Sequence, residues 1–176
     1  MPAYFALATS VGLLAALDTW LFFGPLATTF VAGLVWISFI AWGCHFHSGG
    51  GTKGMTTAIV CMSFGALVGM VSVMFANNVL GGLDTAVGLG IAVGLGAAVI
   101  CLASKLPLLA TIPASVYGFA SIAGPMVLRG DAPEAAILPT VGAIVIGGVF
   151  GIVSEYLANA LTKKAPEAAA ASAEAA

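Results

Sequence analysis

Two stretches of this chain occur twice: VGLLAA at residues 11–16 returns as VGLGAA at 93–98, and GMVSVMFAN at 69–77 returns as GIVSEYLAN at 151–159. Both pairs share one offset, since 93 − 11 = 82 and 151 − 69 = 82. An ungapped alignment of the two halves at this offset gives 18 identities in 78 positions. A chain so rich in Ala, Gly, Leu and Val would give roughly 7 by chance. The sequence therefore predicts an internal duplication.

The composition is typical of a membrane protein. Of the 176 residues, 61% are hydrophobic and 7% are charged, whereas soluble domains carry about 25% charged residues. An apolar stretch of about 20 residues is long enough to cross the hydrocarbon core as a helix. The chain has six such stretches, separated by Gly, Pro and charged residues: 3–23, 26–46, 53–76, 84–104, 106–128 and 135–161.

The number of spans in each copy determines how the copies are related. Each holds three spans, an odd number, so the second copy enters the bilayer from the side opposite to the first. We therefore predict an all-α membrane protein with six transmembrane helices as two inverted three-helix repeats, at about 3–82 and 85–164. These form a single membrane domain over residues 1–164. Residues 165–176 are low in complexity and are predicted to be a cytoplasmic tail.

The few basic residues predict the orientation. With both termini in the cytoplasm, the cytoplasmic segments carry four lysines and the other side carries only Arg129. The positive-inside rule favours this arrangement. The lysines are Lys53, Lys105, Lys163 and Lys164. No basic residue precedes the first apolar stretch, so we expect no removable signal peptide.

An aromatic face marks the second span. Trp36, Phe39, Trp42 and Phe46 recur at three- and four-residue spacing, which places them on one side of a helix. Such a lining suits a small neutral solute that needs apolar walls and few hydrogen bonds. Aromatic residues near the end of a span also serve as interfacial belt residues. The corresponding face of the fifth span is weaker and includes Tyr117.

Polar residues inside the spans are informative because an unpaired polar group is costly in hydrocarbon. Ser72 and Ser154 occupy equivalent positions, whereas Asp18 and Glu155 have apolar counterparts. The serines either line a path or bond to their own helix carbonyls. Glu155 either lines a path, pairs with a lysine or faces the cytoplasmic interface. Our candidates for the solute path are Trp36, Phe39, Ser72, Tyr117, Ser154 and Glu155.

Residues at the end of the second span suggest a mouth rather than a metal site. His45 and His47 are two residues apart and point to opposite sides of a helix, and no further cluster completes a coordination shell. We therefore predict no metal and no cofactor. Because imidazole changes its charge near neutral pH, the candidates for a cytoplasmic mouth or gate are His45, His47 and Lys53. The glycines at 49–51 lack the complete phosphate-loop pattern and predict a tight turn.

Glycines four residues apart lie near the middle of the third and sixth spans: Gly65 with Gly69, and Gly147 with Gly151. Small residues at this spacing allow helix backbones to approach closely. We assign these four glycines to helix packing, either of helix 3 on helix 6 or on a neighbouring subunit, with path lining as the alternative.

Several short motifs give the chain a family resemblance over about residues 8–162. It resembles the YcdZ-like bacterial inner-membrane proteins, a family catalogued as a domain of unknown function. The resemblance implies an inner-membrane location and supplies no substrate; the two histidines depart from it and leave any shared solute open. The motifs are Trp36 with Phe39, the aromatic-rich helix end, the glycine turn with Lys53 and Gly54, and Gly130 with Asp131 before a glycine-rich last helix.

The predicted function is a small inner-membrane channel or facilitator for a small polar, neutral solute, with the path near the pseudo-twofold axis. One alternative is a proton-coupled secondary transporter in which Glu155 or Asp18 carries the proton. Another is a non-transporting membrane scaffold. No nucleophile, base and orienting acid share one motif, so we expect no enzyme. The expected partners are the lipid bilayer, further copies of the chain and an unidentified solute, and not nucleic acid.

Overall fold

The computed structural model describes residues 1–162, and this part of the chain is helical without a β-strand. The predicted tail at 165–176 and the lysines at 163 and 164 lie outside the described residues. A short 3-10 turn, Pro107–Leu109, lies between the fourth and fifth helices. The helices are α1 (Ala3–Phe23), α2 (Val35–His47), α3 (Gly51–Asn78), α4 (Thr85–Ala103), α5 (Ile112–Ser121), α6 (Ala123–Leu128) and α7 (Pro133–Leu161).

Four of these helices, α1, α3, α4 and α7, are long and apolar enough to cross a membrane. The shortest has 19 residues and the longest 29, which correspond to about 28 and 43 Å at 1.5 Å per residue. A hydrocarbon core is about 30 Å thick. Their outer surfaces expose large apolar side chains, for example Leu95, Leu102 and Val71. The all-helical membrane class predicted from the sequence is therefore confirmed.

The prediction of six continuous spanning helices is wrong at residues 26–46 and 106–128. In the first stretch, residues 24–34 form consecutive turns and only the 13 residues of α2 are helical. The second stretch is divided into the 3-10 turn, α5 and α6. Pro25 and Pro107 stand at equivalent positions where the two interruptions begin. Proline lacks the N–H that a continuing helix would need and clashes with the preceding turn.

The interrupted backbone has polar partners from other parts of the chain. The Arg129 guanidinium donates hydrogen bonds to the carbonyl oxygens of Phe30 and Ala32, at 2.9 and 3.2 Å. It also pairs with the Asp131 carboxylate at 2.6 Å. In the other interrupted stretch, the Cys61 thiol donates to the carbonyl oxygen of Leu108 at 3.3 Å. These contacts satisfy carbonyl groups that would be costly to leave free in a membrane.

The central helices are α3 and α7, which pack on each other. On this pair, α1 and α2 pack mainly against α7, whereas α4 and α5 pack mainly against α3. The ammonium group of Met1 donates to the carbonyl oxygen of Leu161 at 3.1 Å. The start of α1 and the end of α7 therefore lie together at what we call the N-terminal end of the bundle; the other is the opposite end.

The four glycines assigned to packing lie in close contact with neighbouring parts of the bundle. Gly65 faces the carbonyl group of Ser115 on α5, and Gly147 faces the carbonyl group of Ser38 on α2. Gly69 and Gly151 continue the same two contacts one turn further on. Gly69 lies against Phe119 of α5 and against Ile122, the residue that follows this helix, and Gly151 lies against the His45 side chain of α2. These glycines thus bring α3 onto α5 and α7 onto α2, and they do not join helix 3 to helix 6, the pairing considered from the sequence.

Candidate functional site

A cleft of about 370 Å³ lies between α2 and α5. The rings of His47 and Tyr117 meet there edge to face, with centroids 6.0 Å apart. At Gly43 an added Cβ atom would have no neighbour within 4 Å, so this glycine leaves the cleft open. Apolar walls with a few polar groups are typical of a site for a small molecule. The lining residues are Ile40, Gly43, Cys44, His47, Tyr117 and Ala120.

A second, more polar cleft of about 290 Å³ lies at the N-terminal end, between the start of α3 and the Pro107–Leu109 turn. Lys53 and the hydroxyl groups of Thr52, Thr56 and Thr57 line it. A cation and several hydroxyl groups therefore lie together at this cleft.

A close contact between a histidine and a carboxylate joins α2 to α7 near the N-terminal end. Nε2 of His45 lies 3.3 Å from Oε2 of Glu155, and the same oxygen accepts a hydrogen bond from the backbone N–H of Gly51 at 2.6 Å. Gly51 is the first residue of α3, and the positive end of the helix dipole favours a carboxylate there. Gly50 has a φ of 68° and no room for a side chain beside Glu155. The partners of Glu155 are thus a histidine and a backbone amide.

Ser154 connects three helices through hydrogen bonds. Its hydroxyl accepts from the indole N–H of Trp42 at 3.0 Å and donates to the carbonyl oxygen of Gly151 at 2.6 Å. The hydroxyl of Ser10 donates to the Ser154 carbonyl oxygen at 2.6 Å. Ser154 is fully buried, so this position links α1, α2 and α7 and does not line the cleft.

The remaining path candidates are dispersed. The Ser72 hydroxyl bonds back to the carbonyl oxygen of Val68 at 2.9 Å, in an apolar groove between α3 and α4. The ring of Trp36 packs on Gly124 of α6, and Phe39 stacks on Trp42 at 5.9 Å. Of the path and mouth candidates, the structure brings together Tyr117 and His47 at the cleft. Lys53 lines the second cleft, and the His45 ring lies against the Glu155 carboxylate.

Sequence reasoning did not identify four residues of the cleft: Ile40, Gly43, Cys44 and Ala120. One sequence signal pointed to this region. Pro25 and Pro107 interrupt the same span in both copies, and matching interruptions are typical of binding sites in repeat-built transporters. Among residues 1–162, no group of three His, Cys, Asp or Glu side chains is placed to hold a metal ion.

The long apolar helices define a multi-pass membrane protein with an all-helical fold. Residues 8–159 match the family described as "Protein of unknown function (DUF1097)", and the chain belongs to this family. The family resemblance drawn from the sequence is therefore confirmed. No curated protein and no solved structure matches the chain.

Replacing Glu155 by alanine is expected to loosen the turn between α2 and α3. The change removes the acceptor of the Gly51 amide and the carboxylate beside the buried His45 ring, and a hydrogen bond to a charged group contributes about 1.5–3 kcal/mol. Hydrogen exchange measured by mass spectrometry should show faster exchange at residues 49–54 in Glu155→Ala. Glu134→Ala, at an exposed position in the first turn of α7, should leave that segment protected. Equal protection of the turn in both variants would contradict this role for Glu155.

Proposed function

We propose that this protein is a facilitator for a small, polar, uncharged solute, and that the solute crosses the membrane by way of the cleft between α2 and α5. One observation carries the proposal: the two interrupted spans occupy equivalent positions in the two copies, and their helical parts border this cleft. In transporters built from inverted repeats, interrupted helices at matching positions form the substrate site near the bilayer midplane.

The packing of the helices supports two inverted three-span repeats. At the 82-residue offset, α1 corresponds to α4 and α3 corresponds to α7. The contact of α1 with α7 then has its counterpart in the contact of α4 with α3, and the contact of α2 with α7 has its counterpart in that of α5 with α3. A twofold axis between α3 and α7 would exchange α1 with α4, α2 with α5 and α3 with α7. The helices α1 and α4 run in opposite directions, as an inverted repeat requires.

The cleft lining suggests the class of solute. Its walls combine aliphatic groups with one imidazole, one phenol and one thiol, from His47, Tyr117 and Cys44. These groups offer hydrogen bonds without a permanent charge, which favours a small amide, urea or polyol. In this proposal the protein is not an enzyme and needs no cofactor.

The lysines favour one orientation in the membrane. With the N-terminal end in the cytoplasm, Lys53 and Lys105 lie on the cytoplasmic side and Arg129 on the other, as the positive-inside rule favours. The second cleft, with Lys53, is then the cytoplasmic mouth. We place the protein in a bacterial inner membrane, with both termini in the cytoplasm.

A second copy of the chain is the proposed protein partner. The face of α4 that carries Gly90 and Gly94 is exposed, and a Cβ atom added at either glycine would meet nothing within 4 Å. Small residues four apart on an exposed helix face allow close association of transmembrane helices. This face is therefore suited to a homo-oligomer within the lipid bilayer.

Solute flux into proteoliposomes tests the proposed function. We would measure stopped-flow light scattering with urea, acetamide, glycerol, ammonium and formate, in vesicles with and without the protein. At least one uncharged solute is expected to enter faster through the protein than through lipid alone. Equal rates in both kinds of vesicle for the whole panel would rule out the facilitator and leave a driven transporter or a scaffold.

A further inference from the structure

A buried acid lies outside the cleft, between α1 and its neighbours. Asp18 is on α1, its side chain is 0% exposed, and neither carboxyl oxygen has a hydrogen-bond partner among the described residues. The hydroxyl of Ser38 on α2 lies beside this carboxyl group and is its polar neighbour, but neither group makes a well-formed hydrogen bond to the other or to another described residue. Buried polar groups in native proteins nearly always have a partner. The lack of one at Asp18 and Ser38 therefore points to a function for this buried acid.

No cation in the described part of the chain neutralises this carboxyl group. The helices packed against α1 are α7 and α2. On α2 the titratable nitrogen groups are His45, which pairs with Glu155, and His47, which lines the cleft. Both follow Ser38 by at least seven residues, about 10 Å along a helix. On α7, Glu134 is in the first turn and Glu155 and Tyr156 are near the other end. Arg129, near the opposite end, is held by Asp131.

The burial of Asp18 favours its neutral form. An isolated carboxylate in a low-dielectric interior carries a penalty so large that such a group takes up a proton instead. Ionisable residues inside membrane helices mark ion pathways and proton relays. Asp18 also lies five residues before the end of α1, about 7.5 Å along the helix. The interrupted segment at 24–34 follows α1 directly and lies between Asp18 and the opposite end of the bundle.

We propose that Asp18 is a proton-binding site that links solute passage to proton movement. In the packed state the carboxyl group holds a proton, with Ser38 as its polar neighbour. When water reaches Asp18 past the segment at 24–34, the carboxyl O–H bond breaks and the proton passes to water, with no change in oxidation state. The link to passage rests on the proposed transport function; protonation of Asp18 does not.

Infrared difference spectroscopy of the protein in lipid vesicles tests the protonation directly. At neutral pH the wild type should show the C=O stretching band of a protonated carboxylic acid, which a carboxylate lacks. Asp18→Asn, nearly identical in shape, should lose this band, and Glu134→Gln should keep it. Ser38→Ala, which leaves Asp18 in place, should shift the band. A wild-type spectrum without the band, or a band unchanged in both Asp18→Asn and Ser38→Ala, would overturn the proposal.

A pH gradient across the vesicle membrane tests the link to passage. With urea, acetamide and glycerol as probes, one pH unit corresponds to about 1.36 kcal/mol, or about tenfold accumulation for one proton per solute. The wild type should accumulate its solute along the gradient, and Asp18→Asn should only equilibrate it. Solute flux that does not depend on the pH gradient would overturn the link between passage and proton movement while leaving the facilitator intact. An Asp18 band without flux of any probe would overturn the facilitator and the link while leaving the proton site intact.

Discussion

Gly65→Ala and Gly147→Ala are each expected to destabilise the bundle severely, and to similar extents. A methyl group at Gly65 would overlap the carbonyl oxygen of Ser115, and one at Gly147 would overlap that of Ser38. Both obstacles are backbone atoms of a packed helix, which cannot rotate away as a flexible side chain can. Inserting an extra group into a packed core costs typically about 1–3 kcal/mol and occasionally more, and we expect the upper part of this range or above.

Unfolding with denaturant in detergent, followed by gel filtration of the folded fraction, measures this effect. Gly12→Ala is the matched control, because a Cβ atom added to this glycine of α1 would meet nothing within 4 Å. Alanine is favoured over glycine inside a helix by roughly 0.5–1 kcal/mol, so the control should be as stable as the wild type or slightly more so. Equal stability of Gly65→Ala and Gly12→Ala would show that α3 and α5 are not in close contact.

Gly43→Phe is expected to slow solute flux by about tenfold or more, which corresponds to about 1.4 kcal/mol in the barrier. The space around Gly43 is open for a Cβ atom, so the ring can grow into the cleft between α2 and α5 without displacing backbone. It would stand beside His47 and Tyr117, where the proposed path is lined by aromatic groups. The expected loss is therefore one of passage and not of folding.

The stopped-flow assay with the solute that the wild type passes fastest measures this loss, at matched amounts of reconstituted protein. Gly12→Phe carries the same substitution on α1, away from the cleft lining, and should pass solute at the wild-type rate. A Gly43→Phe protein that folds normally and passes solute at the wild-type rate would show that the solute path does not run through this cleft.

The sequence alone was enough for the membrane class, the family and the four long helices. The class and the helices depend on composition and on runs of apolar residues, which act locally and need no information on neighbours, and the family resemblance depends on short motifs. The same reasoning gave too much helix at residues 26–46 and 106–128, because hydropathy does not distinguish a spanning helix from an apolar stretch with turns. Pro25, Pro107 and Gly33, with its positive φ of 73°, were the local signals for the interruptions.

What the tertiary structure decided was which of the polar and small residues meet. The contact of His45 with Glu155 and the three-helix contact at Ser154 join residues far apart in sequence. The burial of Asp18 without a hydrogen-bond partner likewise results from how the helices pack. Ser72 and Ser154 are equivalent in the repeat, yet one bonds within its own helix and the other joins three helices. Periodicity places a residue on a face of its helix, but the neighbour of that face is set by how the helices pack.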